Sequence, residues 1–194
     1  MTLNSELPPK LTSRFEEALI YATQLHACQI RKASGVPYIS HLLSVTALVL
    51  EDGGNEDEAI AALLHDAIED QGGDKIRQEI YQKFGESVAS IVEECTESDT
   101  IPKPPWKERK LAAIARLRDA SPQVRRVIIA DKLHNARSIL VDWHRYGEEI
   151  WTRFKGGKEG TLWFYRAIIE SDRNRGFNVL TEELDRVVKQ LEIL

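Results

Sequence analysis

Only two cysteines, Cys28 and Cys95, occur in 194 residues, and they lack the close spacing of a zinc knuckle or a redox pair. Both fall inside helical patterns, so both read as buried thiols. No apolar run approaches the roughly 18 to 20 residues that a spanning helix needs, and Met1–Lys10 lacks the apolar centre of a signal peptide; the expectation is a cytoplasmic protein with no membrane partner. Positive charge is in the minority: 26 Lys and Arg against 31 Asp and Glu leave a formal net charge of −5. With no long basic tract, that balance argues against nucleic acid as a partner, while leaving room for a local basic pocket. With only 7 prolines and no internal repeat or low-complexity segment, the chain fits neither a disordered nor a fibrous class. Period-two alternation long enough for a strand is also missing, so the fold reads as all-α. The length suits one domain, 1–194, with a sizeable core.

What is present is helical periodicity. A first helix is expected from Thr12 to Gln29, capped by Thr12 or Ser13, with a loop from Ile30 to Pro37 and a second helix from Tyr38 to Glu51. Asn55 or Asp57 caps a third, which runs through His65 and Asp66 to stop at Gln71-Gly72-Gly73. Asp74 caps a fourth that ends near Phe84-Gly85, and a fifth covers Glu86 to Thr96. Three prolines break the pattern between Ser98 and Pro105, before a helix from Trp106 to Ala120. Ser121-Pro122, a cap followed by proline at the first helical position, opens a helix to Leu140. Helices from Trp143 to Phe154, Thr161 to Glu170 and Thr181 to Leu191 complete the chain, the residues after 140 packing on a motif-bearing core of about 25–140.

Two of these helices carry polar groups in apolar surroundings. In Ala61–Asp70 a helix would place His65 with Glu69 on one face and Asp66 with Asp70 on the next, either as a solvated edge or as a ligand-bearing face. Asp131 follows four apolar residues and repeats the four-residue spacing with Asn135. A buried carboxylate must be neutral, paired, or bound to a cation. With His41, at the start of the second helix, these residues supply two imidazoles and two carboxylates from three helices, the inventory that holds a divalent metal in a bundle. The carboxylate content and lack of a thiolate favour Mn²⁺, with Fe²⁺ or Zn²⁺ as alternatives.

His41, His65-Asp66 and Asp131 match the H…HD…D pattern of the HD-domain metal-dependent phosphohydrolases. The longer strings His65-Asp66-Ala67-Ile68-Glu69-Asp70 and Ala130-Asp131-Lys132-Leu133-His134-Asn135 resemble the hydrolase domain of the RelA/SpoT family and its small stand-alone homologues. The likeness covers roughly Leu25 to Leu140. It implies removal of the 3′-pyrophosphate from guanosine tetra- and pentaphosphate alarmones. It also implies that His41, His65, Asp66 and Asp131 bind the metal, that Glu69 and Asp70 act as acid and base on the attacking water, and that Asn135 sits by the ribose. Arg31-Lys32 matches the pair that contacts base and phosphates. The chain departs from the family in having Leu42 where proline usually follows the first histidine, and one extra residue in Arg31-Lys32-Ala33-Ser34-Gly35.

Two further stretches read two ways. Lys103–Lys110 gathers cations at a helix start and is either an anion-receiving surface or a solvated face. Lys155–Thr161 is glycine-rich without Walker spacing, and is either phosphate-friendly or a plain turn among aromatics. The rival functions are another HD hydrolase, acting on nucleoside monophosphates or adenosine polyphosphates, and a non-catalytic nucleotide sensor.

Overall fold

Side-chain capping sets the starts of α-helices at Thr12, Asn55, Ser121 and Asn178 in the computed structural model, which describes residues 11–100 and 102–194. The Met1–Lys10 stretch lies outside the described residues. Helix α1 (Ser13–Leu25) begins where the Thr12 side chain accepts from Arg14 N. A single bridge between Ile30 and Pro37 pinches the loop that leads to α2 (Ile39–Glu51). Helix α3 (Glu56–Leu64) starts with a reciprocal capping box between Asn55 and Glu58. After a bend come α4 (Ala67–Gln71) and α5 (Asp74–Cys95), the latter folded at Gly85, whose φ of 85° is open to glycine. Then follow α6 (Trp106–Asp119), α7 (Pro122–Tyr146) with the Ser121 side chain accepting from Val124 N, a 3₁₀ turn (Gly147–Arg153), α8 (Gly157–Arg173) and α9 (Val179–Glu192). The fold is all-α: no strand occurs among the described residues, nor any helix long and apolar enough to cross a membrane.

Helix α3 is the centre of the molecule. Every residue from Glu58 to Leu64 is buried, against α1, α2, α5 and α7. Each fully buried Ile or Leu there contributes about 1.5–3 kcal/mol relative to exposure. Glu58 is tolerated in that core because Arg126 of α7 pairs with it, and Arg126 also donates to Asp52 at 2.9 Å. Helix α7 joins this half to the other: it packs on α2 and α3 along one side and on α9 along another. Asp172, fully buried on α8, accepts from Arg125 of α7 at 2.7 Å and from Thr181 of α9 at 2.5 Å, which ties the three helices together.

Several expectations need correction. The third helix is not continuous to Gln71; it is interrupted at His65-Asp66, although both residues keep helical backbone angles and Asp70 N still donates to the Asp66 carbonyl at 3.0 Å, as the Asp66–Asp70 spacing expects. At the interruption the His65 ring turns back so that Nδ1 donates to the Ala62 carbonyl at 2.8 Å. Helix α1 ends at Leu25 rather than Gln29, and α7 continues past Leu140 to Tyr146, taking in Trp143. Asp74 is not a cap; Gly73 holds that position without a side-chain bond. The Gly156–Gly160 segment is largely the first turn of α8. Cys28 is exposed, because α1 stops before it, and Cys95 is partly buried.

Candidate active site

The bend between α3 and α4 aims His65 and Asp66 at His41 on α2 and Asp131 on α7. One ligand atom each from His41, His65 and Asp66 lies within 4.8 Å of the others. Asp66 Oδ2 is 3.0 Å from His65 Nε2 and 3.6 Å from His41 Nε2. Asp131 Oδ1 faces the same two nitrogens at 3.6 and 3.2 Å. Both Nε2 atoms are buried and have no hydrogen-bond partner. Since Nδ1 of His65 carries the proton given to Ala62, its Nε2 presents a lone pair to carboxylate oxygens, an arrangement that requires a cation or a proton between them. Burial opposes charge on His65, yet Asp66 and Asp131 raise its pKa well above the usual imidazole value. The same contacts overcome burial in the other direction, holding the Asp66 carboxyl far below its ordinary range.

A second set of side chains fixes these four. Tyr38 donates its hydroxyl to Asp66 Oδ2 at 2.6 Å, and Nδ1 of His134 and of His41 share a hydrogen bond at 2.7 Å. Lys132 donates to Asp131 Oδ2 at 2.6 Å. Asn135 donates to Asp131 Oδ1 at 2.5 Å while accepting from Arg31 at 2.7 Å, so two of the expected substrate contacts also orient a candidate ligand. Lys132 is the main partner that, against burial, keeps Asp131 ionised. Tyr38, His134 and Lys132 escaped the sequence reading, although each lies within three residues of His41 or Asp131. That proximity was the available signal.

The cluster opens into a cavity of about 530 Å³. Glu69 and Asp70 both line it but differ in what they touch. Glu69 is fully engaged, accepting from Lys103 at 2.7 Å and from Glu97 N at 3.1 Å. Asp70 accepts from Gln29 at 2.8 Å through Oδ2 only, and its pKa is raised, first by desolvation and then by Asp66. Gln29 is itself held by Gln71 at 2.6 Å and by His26 at 2.6 Å. Lys32 is exposed at the rim.

Both ambiguous stretches meet here. Trp106 lies across Gly156 and Gly160 so closely that a Cβ on either would come within 2.6 and 3.0 Å of its ring, which explains the glycines by contact rather than by phosphate chemistry. Lys107 sits over the Trp163 ring at 2.9 Å and Lys110 over Phe164 at 4.4 Å. Arg109 and Lys110 both donate to Glu97, at 3.0 and 2.5 Å. Of the Lys103–Lys110 stretch, Lys103, Trp106, Arg109 and Lys110 line the cavity.

The sequence matches the HD-domain family across residues 18–162. It is 39% identical over 126 residues to the guanosine-3′,5′-bis(diphosphate) 3′-pyrophosphohydrolase MESH1 of Xenopus tropicalis, an overlap of 63% of this chain and 68% of that protein. Its Mus musculus namesake is 32% identical over 178 residues, 90% of each chain. A solved structure described as a metazoan ortholog of SpoT that hydrolyzes ppGpp aligns with a TM-score of 0.75 at 25% identity, over 95% of this chain and 99% of that one.

Proposed function

The chain belongs to the HD-domain family, and from that membership we propose a cytoplasmic metal-dependent phosphohydrolase that removes the 3′-pyrophosphate of guanosine tetra- and pentaphosphate. The observation that carries the reading is the pair of buried, unpartnered Nε2 atoms of His41 and His65, set against the oxygens of Asp66 and Asp131. These four residues would hold one divalent ion, and their nitrogen and oxygen donors fit Mn²⁺, with Fe²⁺ or Zn²⁺ also compatible. Cys95, on the cavity wall, has its thiol pKa pushed up by burial and so offers no thiolate. When bound, the ion lowers the pKa of water towards about 7 and neutralises a phosphoryl oxygen.

The protein's own groups do the rest. Asp70, with one oxygen uncommitted among the described residues, takes the proton of the attacking water, a role worth about 10² to 10⁴ in rate. Gln29 holds its other oxygen and so aims the carboxylate. Glu69 keeps Lys103 at the cavity wall. Arg31, Lys32 and Asn135 orient the nucleotide. The test is product analysis: Mn²⁺-loaded protein given guanosine tetraphosphate should release pyrophosphate and GDP. Orthophosphate released from a mononucleotide, with the tetraphosphate left intact, would replace this substrate by another.

A further inference from the structure

Helix α7 carries a stripe that extends well beyond the metal end. Asp131, Asn135, Ser138 and Asp142 are spaced four, three and four residues apart, which puts them on one face, and all four line the cavity. Asp142 is only 6% exposed. It accepts no hydrogen bond among the described residues, and its one ion-pair contact is with the more exposed Arg145, at 3.7 Å. Its oxygens are not among the buried unpartnered atoms and so open into the cavity, where no protein donor meets them and a ligand can supply one. Phe154, Tyr165, Ile139 and Ile168 line the same cavity. Such surfaces suit the faces of a purine. Eleven residues of helix separate Asp142 from Asp131, about 16 Å, room for a ribose and a base between them.

We propose that Asp142 reads the Watson–Crick edge of guanine and sets the enzyme's choice of base. Guanine presents two adjacent donors, N1–H and the N2 amino group, which match the two acceptor oxygens of a carboxylate. Adenine presents one donor and one acceptor, and its N1 lone pair would face a carboxylate oxygen. The assignment deepens the phosphohydrolase reading and takes from it only the position of the phosphate end of the nucleotide. It also gives the cavity a polarity: phosphate towards Asp131, base edge towards Asp142.

The experiment is calorimetric titration of full-length, Mn²⁺-loaded protein with GDP, IDP and ADP, which needs no turnover. Wild type should bind GDP more tightly than ADP by about ten- to a hundredfold, the range for a charge-assisted hydrogen bond, with IDP between them because it lacks the N2 amino group. Asp142→Asn, whose amide offers one donor and one acceptor, loses the match to the two adjacent guanine donors and should narrow the preference for GDP. Asp142→Ala should abolish it. Unchanged pyrophosphate binding in the variants shows that the fold and the metal end survive; if the alanine variant fails this control, the near-isosteric asparagine decides. An equal GDP-to-ADP ratio in wild type and variant, or no base preference in wild type, overturns the proposal. Wild type that selects GDP, with the selection lost in Asp142→Ala, yet leaves guanosine tetraphosphate uncut overturns the hydrolase reading and upholds this one. Efficient cleavage of guanine and adenine analogues alike does the reverse.

Discussion

At one end of the cavity, side chains from α2, the α3–α4 bend and α7 crowd two imidazoles against two carboxylates, and each of the four has a neighbour that fixes it. Further along α7, Asp142 lines the same cavity, with Phe154, Tyr165 and Ile168 also on its walls, and has no donor among the described residues. The first end is over-determined and the second is incomplete, and that contrast is what chemistry and recognition respectively require. A metal site works when its ligands are immobile before the ion arrives. A base pocket needs an unsatisfied group that only the right ligand completes.

The contrast breaks most completely at the metal end. Asp131→Ala should lose the bound ion, from about one per chain to near none by elemental analysis, and turnover should fall to background. Asp70→Asn should keep the ion and lose about 10² to 10⁴ in kcat. Glu69→Gln should lose less, since its oxygens are occupied in holding Lys103 and the Glu97 amide; equal losses would put both carboxylates on the proton path. The raised pKa of Asp70 also fixes the sign of the acid limb. Activity should fall as pH drops through a value above the ordinary carboxylate range, and Gln29→Leu should move that limb further up, because the Gln29 hydrogen bond lowers the Asp70 pKa.

Smaller effects sharpen the comparison. Tyr38→Phe removes one hydrogen bond to Asp66 and should weaken metal binding by about 10- to 100-fold in a chelator competition. Gly156→Ala forces a Cβ against Trp106 and should cost about 1–3 kcal/mol in denaturant unfolding, raising KM without altering metal content. A change in metal content there would mean that the two ends are mechanically coupled. The smallest effect is on stability. Burial and the neighbouring His41 lower the His134 pKa to about 4, below the 6.5 of a free imidazole. The unfolded chain therefore takes up this proton first, so the stabilisation from neutral His134 is complete above pH ~6.5 and is lost as pH falls towards 4. Metal-free His134→Gln should lose less stability than wild type between pH 7 and pH 4.5.

Legibility in the sequence divides along the same line. The start of α7 could be read because Ser121 and Pro122 act locally, and the four candidate ligands could be singled out because their dispersed H…HD…D pattern matches a known family. The bend at His65-Asp66 could not, since apolar periodicity runs straight through it. Asp142 was hidden for another reason: ending the helix at Leu140 removed it from the stripe that Asp131 and Asn135 begin. Of the two readings of 155–161 the structure favours the plain turn among aromatics, with Gly156 and Gly160 lying against Trp106, a partner far upstream that no local pattern reveals.

The unbroken course of α7 from Pro122 to Tyr146 restricts how this protein can vary. Inserting one residue between Asn135 and Asp142 would rotate everything beyond it by about 100° and advance it by about 1.5 Å, so the two ends of the stripe could no longer face one cavity. Length changes are therefore confined to the connections, such as the proline-rich stretch before α6 and the turn between α8 and α9. Along α7 itself, only substitution is open to selection.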